Sequence, residues 1–153
     1  MHTLMDLEDQ LHPDLRTVTF TYIAPDPSDH APQLADNDLG YIGRFHDACE
    51  TLNALLRERS YLLGERMTLA DMSWFITLYR LDLAGYPLAN HAHLHAYFQR
   101  ITRRPAFRRQ VSAGPRLIRL AGSIYRRVNQ ALRHSMPKDF ARWQAMQQPT
   151  HTN

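Results

Sequence analysis

The sequence contains very little cysteine and no long apolar run. Cys49 is the one cysteine in 153 residues, so no internal disulfide can form. No apolar stretch approaches the ~20 residues of a membrane-spanning helix, and the acidic residues 1–9 are unlike a secretory or mitochondrial leader. Repeats of fixed period and low-complexity tracts are also missing, which argues against a solenoid or a disordered chain. We therefore expect one soluble, cytoplasmic domain over residues 1–153.

Acidic residues are almost missing from the second half of the chain. Residues 1–82 contain fourteen Asp and Glu against six Arg, whereas residues 83–153 contain eleven Arg and Lys138 against Asp139 alone. We expect the two halves to attract each other in the folded chain. Positive charge left unpaired could face an acidic partner domain, a membrane surface or nucleic acid.

Helical periodicity is what the sequence does contain. From about residue 37 to 59, one apolar stripe predicts a long amphipathic helix. The stripe consists of Leu39, Ile42, Phe45, Cys49, Leu52 and Leu56. The remaining predicted helices cover about 90–103, 105–111 and 115–134, with a short one around Phe140 and Trp143. We expect a helical core over about residues 4–134 and a C-terminal tail over 135–153, with an irregular loop at Pro25, Pro27 and Pro32.

A second strong helix signal begins at Thr68. The Thr68 hydroxyl can cap the backbone N–H of Asp71 while the Asp71 carboxylate reaches back to the N–H of Thr68. The helix from Leu69 to Ala84 is apolar on nearly all sides, so we expect it to be enclosed at the centre and to end at Gly85. One predicted inner face consists of Leu69, Met72, Ile76, Tyr79 and Leu83. The sequence thus predicts a single all-α domain around one buried central helix.

Four motifs resemble, in order and spacing, the all-helical C-terminal domain of glutathione transferases. They are Tyr61-Leu62-Leu63-Gly64, Thr68-Leu69-Ala70-Asp71, Leu78-Tyr79-Arg80-Leu81 and Arg103-Arg104-Pro105-Ala106-Phe107. The resemblance covers Leu39 to Phe107 well and the rest more loosely. Around Ala70-Asp71, Trp74 and Leu78-Tyr79-Arg80 it is closest to the reductive dehalogenase and ganglioside-induced differentiation-associated branches. The pattern at residues 17–22 alternates as a strand would, but its likeness to the family's first C-terminal-domain helix implies a helix there.

The resemblance implies a function that needs a second domain. In this family the residue that activates the glutathione thiol lies in a thioredoxin-like domain, and these 153 residues contain none. The C-terminal domain supplies the pocket for a small hydrophobic electrophile and part of the dimer interface. The resemblance therefore implies glutathione as co-substrate, a thioredoxin-like domain or a homodimer as partner, and no catalytic residue in this chain. We expect the chain alone to be inactive in conjugation or dehalogenation.

Four residues are candidates for lining that pocket. Tyr22, Trp74 and Tyr79 offer aromatic surface with a polar edge, and Arg80 could pair with an anionic substrate or brace a domain interface. Core packing would equally explain each aromatic, and a buried ion pair with Asp71 or near Asp82 would explain Arg80. We interpret Thr68 and Asp71 as a structural capping box rather than a catalytic dyad.

Histidine and cysteine offer two further candidates, which we interpret as structural. His91 and His95 are four residues apart, a spacing at which two imidazoles on a helix can chelate one ion. His93 points elsewhere, however, and no carboxylate or cysteine lies close in sequence. We therefore expect an exposed, solvated helix start and no metal site. Cys49 fits the apolar stripe and should be an inert core residue.

The segment 115–134 predicts a basic amphipathic helix. Its apolar stripe is Leu117, Leu120, Ile124, Val128 and Leu132, and its arginines are Arg116, Arg119, Arg126, Arg127 and Arg133. Such a helix can cover the domain, lie on an anionic membrane or hold a phosphate backbone. Aromatic interleaving is limited to Tyr125 and no base-reading motif is present, which argues against nucleic acid. A non-catalytic interaction module using this basic surface is the alternative to a transferase domain.

Overall fold

The computed structural model describes residues 2–23, 39–110, 127 and 135–148. Its helices in chain order are α1 (His2–Val18), α2 (Gly40–Leu55), α3 (Leu69–Ala84), α4 (Ala92–Thr102), α5 (Pro105–Gln110) and α6 (Met136–Gln147), with a π-helical turn at Thr19–Ile23 and a 3-10 turn at Leu88–Asn90. Within these ranges the only β-type pairing is an isolated bridge between Tyr61 and Gly64. The predicted all-α class is confirmed.

The first helix is longer than its sequence pattern suggests. α1 continues through Pro13, and the π-helical turn extends it to Ile23. Leu11, Leu15, Val18 and Tyr22 lie in the core, so the segment 17–22 is helical, as the resemblance implied. Burial along a helical face explains why the local alternation of polar and apolar residues did not produce a strand.

The second helix matches its predicted stripe. Every member of the stripe from Leu39 to Leu56 is buried, although the helix itself ends at Leu55. A bidentate ion pair links α2 to α1, with Arg44 Nε 2.7 Å and Arg44 Nη2 2.8 Å from the carboxylate oxygens of Asp14. α2 also packs against α4 and α6.

The central helix has the predicted bounds, but it is not enclosed. α3 begins after Thr68 and ends at Gly85, whose φ of 94° is left-handed. α1, the π-helical turn and α4 pack against it, and Ala70, Trp74, Phe75, Leu78 and Leu81 are buried. The face that was expected to point inward is instead the outer one: Leu69 is 79%, Met72 51% and Ile76 53% exposed. The helix is apolar on nearly all sides, so its pattern could not indicate which side other helices would cover.

The two helices α4 and α6 both contribute to the core. α4 buries Leu94, Tyr97, Phe98 and Ile101 as predicted. α6 packs on α2 and buries Met136 and Phe140, so the core extends past residue 134 into the segment that we expected to be a tail.

Two predicted elements lie outside the described residues. These are the proline-containing loop at residues 25–32 and the basic helix 115–134, of which only Arg127 is described, in helical conformation. Among the described helices, none combines the length and the apolar character needed to cross a bilayer.

Candidate functional site

The capping box at the start of α3 is a structural centre. Asp71 Oδ2 accepts hydrogen bonds from the Thr68 backbone N–H at 2.7 Å and from the Thr68 hydroxyl at 2.9 Å. Asp71 Oδ1 accepts from the Leu62 backbone N–H at 2.9 Å and from the Tyr97 hydroxyl at 3.1 Å. The buried carboxylate therefore joins the preceding turn, α3 and α4. Thr68 and Asp71 form the capping box that the sequence predicts. Each carboxylate oxygen of Asp71 already accepts two hydrogen bonds, so neither is free to act in catalysis.

Tyr22 and Trp74 are enclosed, and their polar atoms are bonded inside the chain. The Tyr22 hydroxyl donates to Asp139 Oδ2 at 2.7 Å and shares a short hydrogen bond with the Tyr41 hydroxyl. Burial, reinforced by Tyr41 and Asp139, raises the pKa of Tyr22 far above that of a free phenol. Trp74 Nε1 donates to the Leu4 carbonyl at 3.0 Å. Both side chains thus hold helices together within the described structure.

Tyr79 and Arg80 are placed differently, because both are half-buried on α3. The Tyr79 ring stacks on Phe75, with a centroid separation of 5.9 Å and an interplanar angle of 19°. The alternative ion pair between Arg80 and Asp71 does not form, because the two residues are separated by about 13.5 Å of helix rise, and the Asp71 carboxylate accepts hydrogen bonds from Leu62, Thr68 and Tyr97 instead. No carboxylate of the described residues forms an ion pair with Arg80. Within the described ranges, the guanidinium therefore has no carboxylate that neutralises its charge at the edge of the helix.

These two residues border an apolar surface. Leu69, Met72 and Ile76 are spaced by three and four residues and form one stripe, which we call the α3 outer face. Tyr79 and Arg80 continue the same stripe by helical spacing. Three large apolar side chains exposed together on one helix are typical of a surface that a partner covers.

A groove lies elsewhere, between α1 and α2. Its volume is about 660 Å3, and its apolar lining includes Leu4, Leu7, Leu55 and Leu63. A smaller groove of about 220 Å3 lies along the same two helices. None of the four predicted lining residues borders either groove, so neither groove was predicted from the sequence.

His91 is buried, and the prediction that it would be exposed to solvent is wrong. This residue is the N-cap of α4, but its side chain is only 1% exposed rather than solvated. Its Nδ1 lies 2.9 Å from Glu50 Oε1 on α2, and His46 is close by. Burial lowers the pKa of His91, while Glu50 acts in the opposite direction. Glu50 is distant in sequence, which is why inspection of the neighbouring positions missed it.

Cys49 lies in the core, as predicted. Its thiol is buried, and burial raises its pKa to about 12. A thiol with such a pKa is protonated near neutral pH and is a poor nucleophile. Cys49 is therefore not a substitute for the thiol-activating residue that a transferase needs.

Residues 29–100 match the model of the family described as glutathione S-transferase, C-terminal domain. The matched range contains α2, α3 and most of α4, and with them the capping box and the α3 outer face. The all-helical bundle and this match together support a glutathione S-transferase C-terminal domain in this chain.

Proposed function

We propose that this chain supplies the electrophile pocket and subunit contacts of a glutathione-dependent transferase. The α3 outer face is the observation that carries the proposal. It leaves Leu69, Met72 and Ile76 exposed on the helix that the family places at the centre of the domain. A thioredoxin-like domain laid over this stripe would bury apolar surface that the chain alone leaves in water, at roughly 25 cal/mol per Å2.

The chemistry of the face suits a small hydrophobic electrophile. Aliphatic and thioether side chains favour an apolar substrate, and the half-buried Tyr79 adds a ring with a polar edge. The charge of Arg80 would meet an anionic group of the substrate or of the covering domain. Tyr22 and Trp74 would shape the pocket from behind, through the helices that they hold together.

Glutathione would then be held mainly by the partner domain, and this chain would be inactive by itself. The motif around Ala70-Asp71 and Leu78-Tyr79-Arg80 favours a conjugating or dehalogenating enzyme of the reductive dehalogenase or ganglioside-induced differentiation-associated type. A reducing cytoplasm suits a thiol co-substrate, and a homodimer is the expected assembly.

The proposal is tested with the purified chain and with a fusion that places the thioredoxin-like domain of an active glutathione transferase before residue 1. With glutathione and an aryl halide, we expect background turnover from the chain alone and glutathione-dependent turnover from the fusion. Met72→Glu and Ile76→Glu in the fusion should each reduce turnover at least about tenfold, because a charge in an apolar interface is strongly unfavourable.

Met146→Glu is the matched control. Met146 is 67% exposed on α6, outside the α3 outer face, so its substitution should leave turnover unchanged. Turnover by the chain alone would contradict the proposal. So would a fusion that folds but is inactive, or one that is indifferent to both α3 substitutions. An inactive fusion that still captured partner proteins or anionic vesicles would favour the interaction module or the membrane association that the basic segment 115–134 suggests.

A further inference from the structure

The structure brings together two histidines and a glutamate from different parts of the chain. His46 and Glu50 are four residues apart on α2, so both side chains leave the same face of that helix. His91, at the start of α4, faces them. One potential ligand atom from each of the three residues lies within 4.8 Å of the other two. We propose that His46, Glu50 and His91 form a binding site for a divalent transition-metal cation, a property that goes beyond the proposed transferase role and does not depend on it.

The His91 ring has a buried nitrogen without a hydrogen bond. His91 Nε2 lies 3.1 Å from the Tyr86 hydroxyl, whereas Nδ1 is buried and has no hydrogen-bond partner. Glu50 Oε1 lies 2.9 Å from Nδ1, which is ion-pair distance if His91 is protonated, but the two atoms are not in hydrogen-bonding geometry. Buried nitrogens without a hydrogen bond are rare in proteins. A cation coordinated by both atoms would satisfy the nitrogen and the carboxylate together.

Tyr86 supports both imidazole rings from behind. Its hydroxyl lies 3.1 Å from His46 Nδ1 as well as 3.1 Å from His91 Nε2. Histidines that bind metals typically use the second ring nitrogen for a hydrogen bond that fixes the ring orientation and tautomer. With Nε2 of His91 and Nδ1 of His46 facing Tyr86, the nitrogens left for an ion are Nδ1 of His91 and Nε2 of His46.

The spacing is compatible with coordination after small rotations. Two ligand atoms that are each ~2.0–2.1 Å from one ion lie at most about 4 Å apart, whereas one nitrogen of each histidine and one oxygen of Glu50 lie within 4.8 Å of one another here. His91 is fixed by burial, but Glu50 is 57% exposed and His46 is half-buried. Both α2 side chains can therefore move the remaining distance toward His91.

The surroundings favour a cation and give it access. Glu50 and Asp47, both on α2, place two carboxylates next to the histidines. Their negative charges favour a cation over an anion here. Phe140 and Trp143 cover the other side of His46, with ring centroids 5.9 Å and 5.0 Å from its own. The exposed Glu50 leaves an opening to solvent through which an ion can enter.

The ligand set selects the class of metal. Two imidazole nitrogens with one carboxylate oxygen suit Zn2+ and related ions, whereas Ca2+ and Mg2+ prefer sets made of oxygen alone. Three protein ligands leave at least one coordination position for water. Zn2+ is therefore the appropriate probe.

A second group, Glu8, Asp9 and His12, has comparable spacing but a different character. The Glu8 carboxylate already accepts hydrogen bonds from the hydroxyls of Ser73 and Thr77, each at 3.0 Å. The side chains of Asp9 and His12 are 72% and 63% exposed. The Glu8 carboxylate is already hydrogen-bonded to α3, and the other two side chains are exposed to solvent. We therefore do not expect this group to bind a metal ion, and His12 serves as a control.

The test is calorimetric titration of the full chain with Zn2+ near neutral pH. We expect one saturable site. Glu50→Gln and His46→Gln should each lower its affinity for Zn2+ by at least about 10- to 100-fold, because loss of a residue that only supports a metal ligand already has an effect of that size. His12→Gln and His95→Gln should retain the wild-type affinity. Circular dichroism checks that each variant is folded. The proposal is overturned if wild type shows no saturable binding, or if the Glu50 and His46 variants bind as wild type does.

Trp143 provides an independent readout of position. Because its ring is 5.0 Å from His46, Ni2+ or Cu2+ bound at this site should quench Trp143 fluorescence. Quenching should persist in Trp74→Phe and disappear in Trp143→Phe. Quenching carried by Trp74 instead would place the ion elsewhere and refute the site.

Discussion

Asp71 is the residue whose loss should affect stability most for its size. Its carboxylate is fully buried and accepts four hydrogen bonds from three segments of the chain. We expect Asp71→Ala to lower the free energy of unfolding by at least about 3 kcal/mol, because hydrogen bonds to a charged group are worth ~1.5–3 kcal/mol and buried donors would be left unpaired. Urea denaturation followed by circular dichroism measures the loss.

Tyr97→Phe is the matched control for this prediction. It removes one donor, at 3.1 Å from Asp71 Oδ1, and leaves the capping box in place. The cost should be near 1 kcal/mol, within the range for a single hydrogen bond. Equal losses in the Tyr97 and Asp71 variants would show that the carboxylate does not link the three segments as described.

Two groups of residues differ in how far they could be recognised from the sequence. Thr68 and Asp71 could be recognised because a capping box is a local pattern that spans four consecutive residues. The group of His46, Glu50 and His91 could not, because α4 brings His91 to α2 only through tertiary packing. A usable signal existed in part: His46 and Glu50 have the four-residue spacing of helical ligand pairs.

For the helices, the first and last residues were easier to predict than the side that is buried. The start and end of α3 follow from local chemistry, namely the capping box and Gly85, and the structure has both. The stripe on α2 was also predictable, since polar residues separate its inner and outer sides. α3 lacks such a contrast, so its Leu69, Met72 and Ile76 were wrongly expected to face inward. Which side of an apolar helix is covered depends on its neighbours in space.

Gly85 allows a specific prediction at this scale. Its φ of 94° ends α3 in the left-handed region, and an added Cβ would meet only Pro137, at an ordinary 3.4 Å. The cost of Gly85→Ala should therefore be conformational, about 1 kcal/mol of unfolding free energy. Gly85→Asn should cost less, because asparagine tolerates this conformation better. Chemical denaturation measures both, and an Asn variant less stable than the Ala variant would contradict this explanation.

For the whole molecule, α6 determines how far the core extends. Phe140 and Met136 are buried, and the Tyr22 hydroxyl donates to Asp139 across 117 positions of sequence. Such contacts close a long chain loop and tie the end of the described structure to its beginning. Residues 136–147 should therefore unfold together with α1 to α4 rather than fray first.

The chain's two tryptophans test this cooperativity, since Trp74 lies against α1 and Trp143 on α6 near His46. In Trp74→Phe, fluorescence reports on α6 alone; in Trp143→Phe it reports on the α1–α3 contact. Either substitution can change stability, so each fluorescence curve is compared with the circular dichroism curve of the same variant. We expect the two midpoints to coincide in both variants, because α6 shares one buried cluster with the other helices. If Trp143 fluorescence changed at lower denaturant than helix content, α6 would be an appendage that detaches first, and the core would end before residue 135.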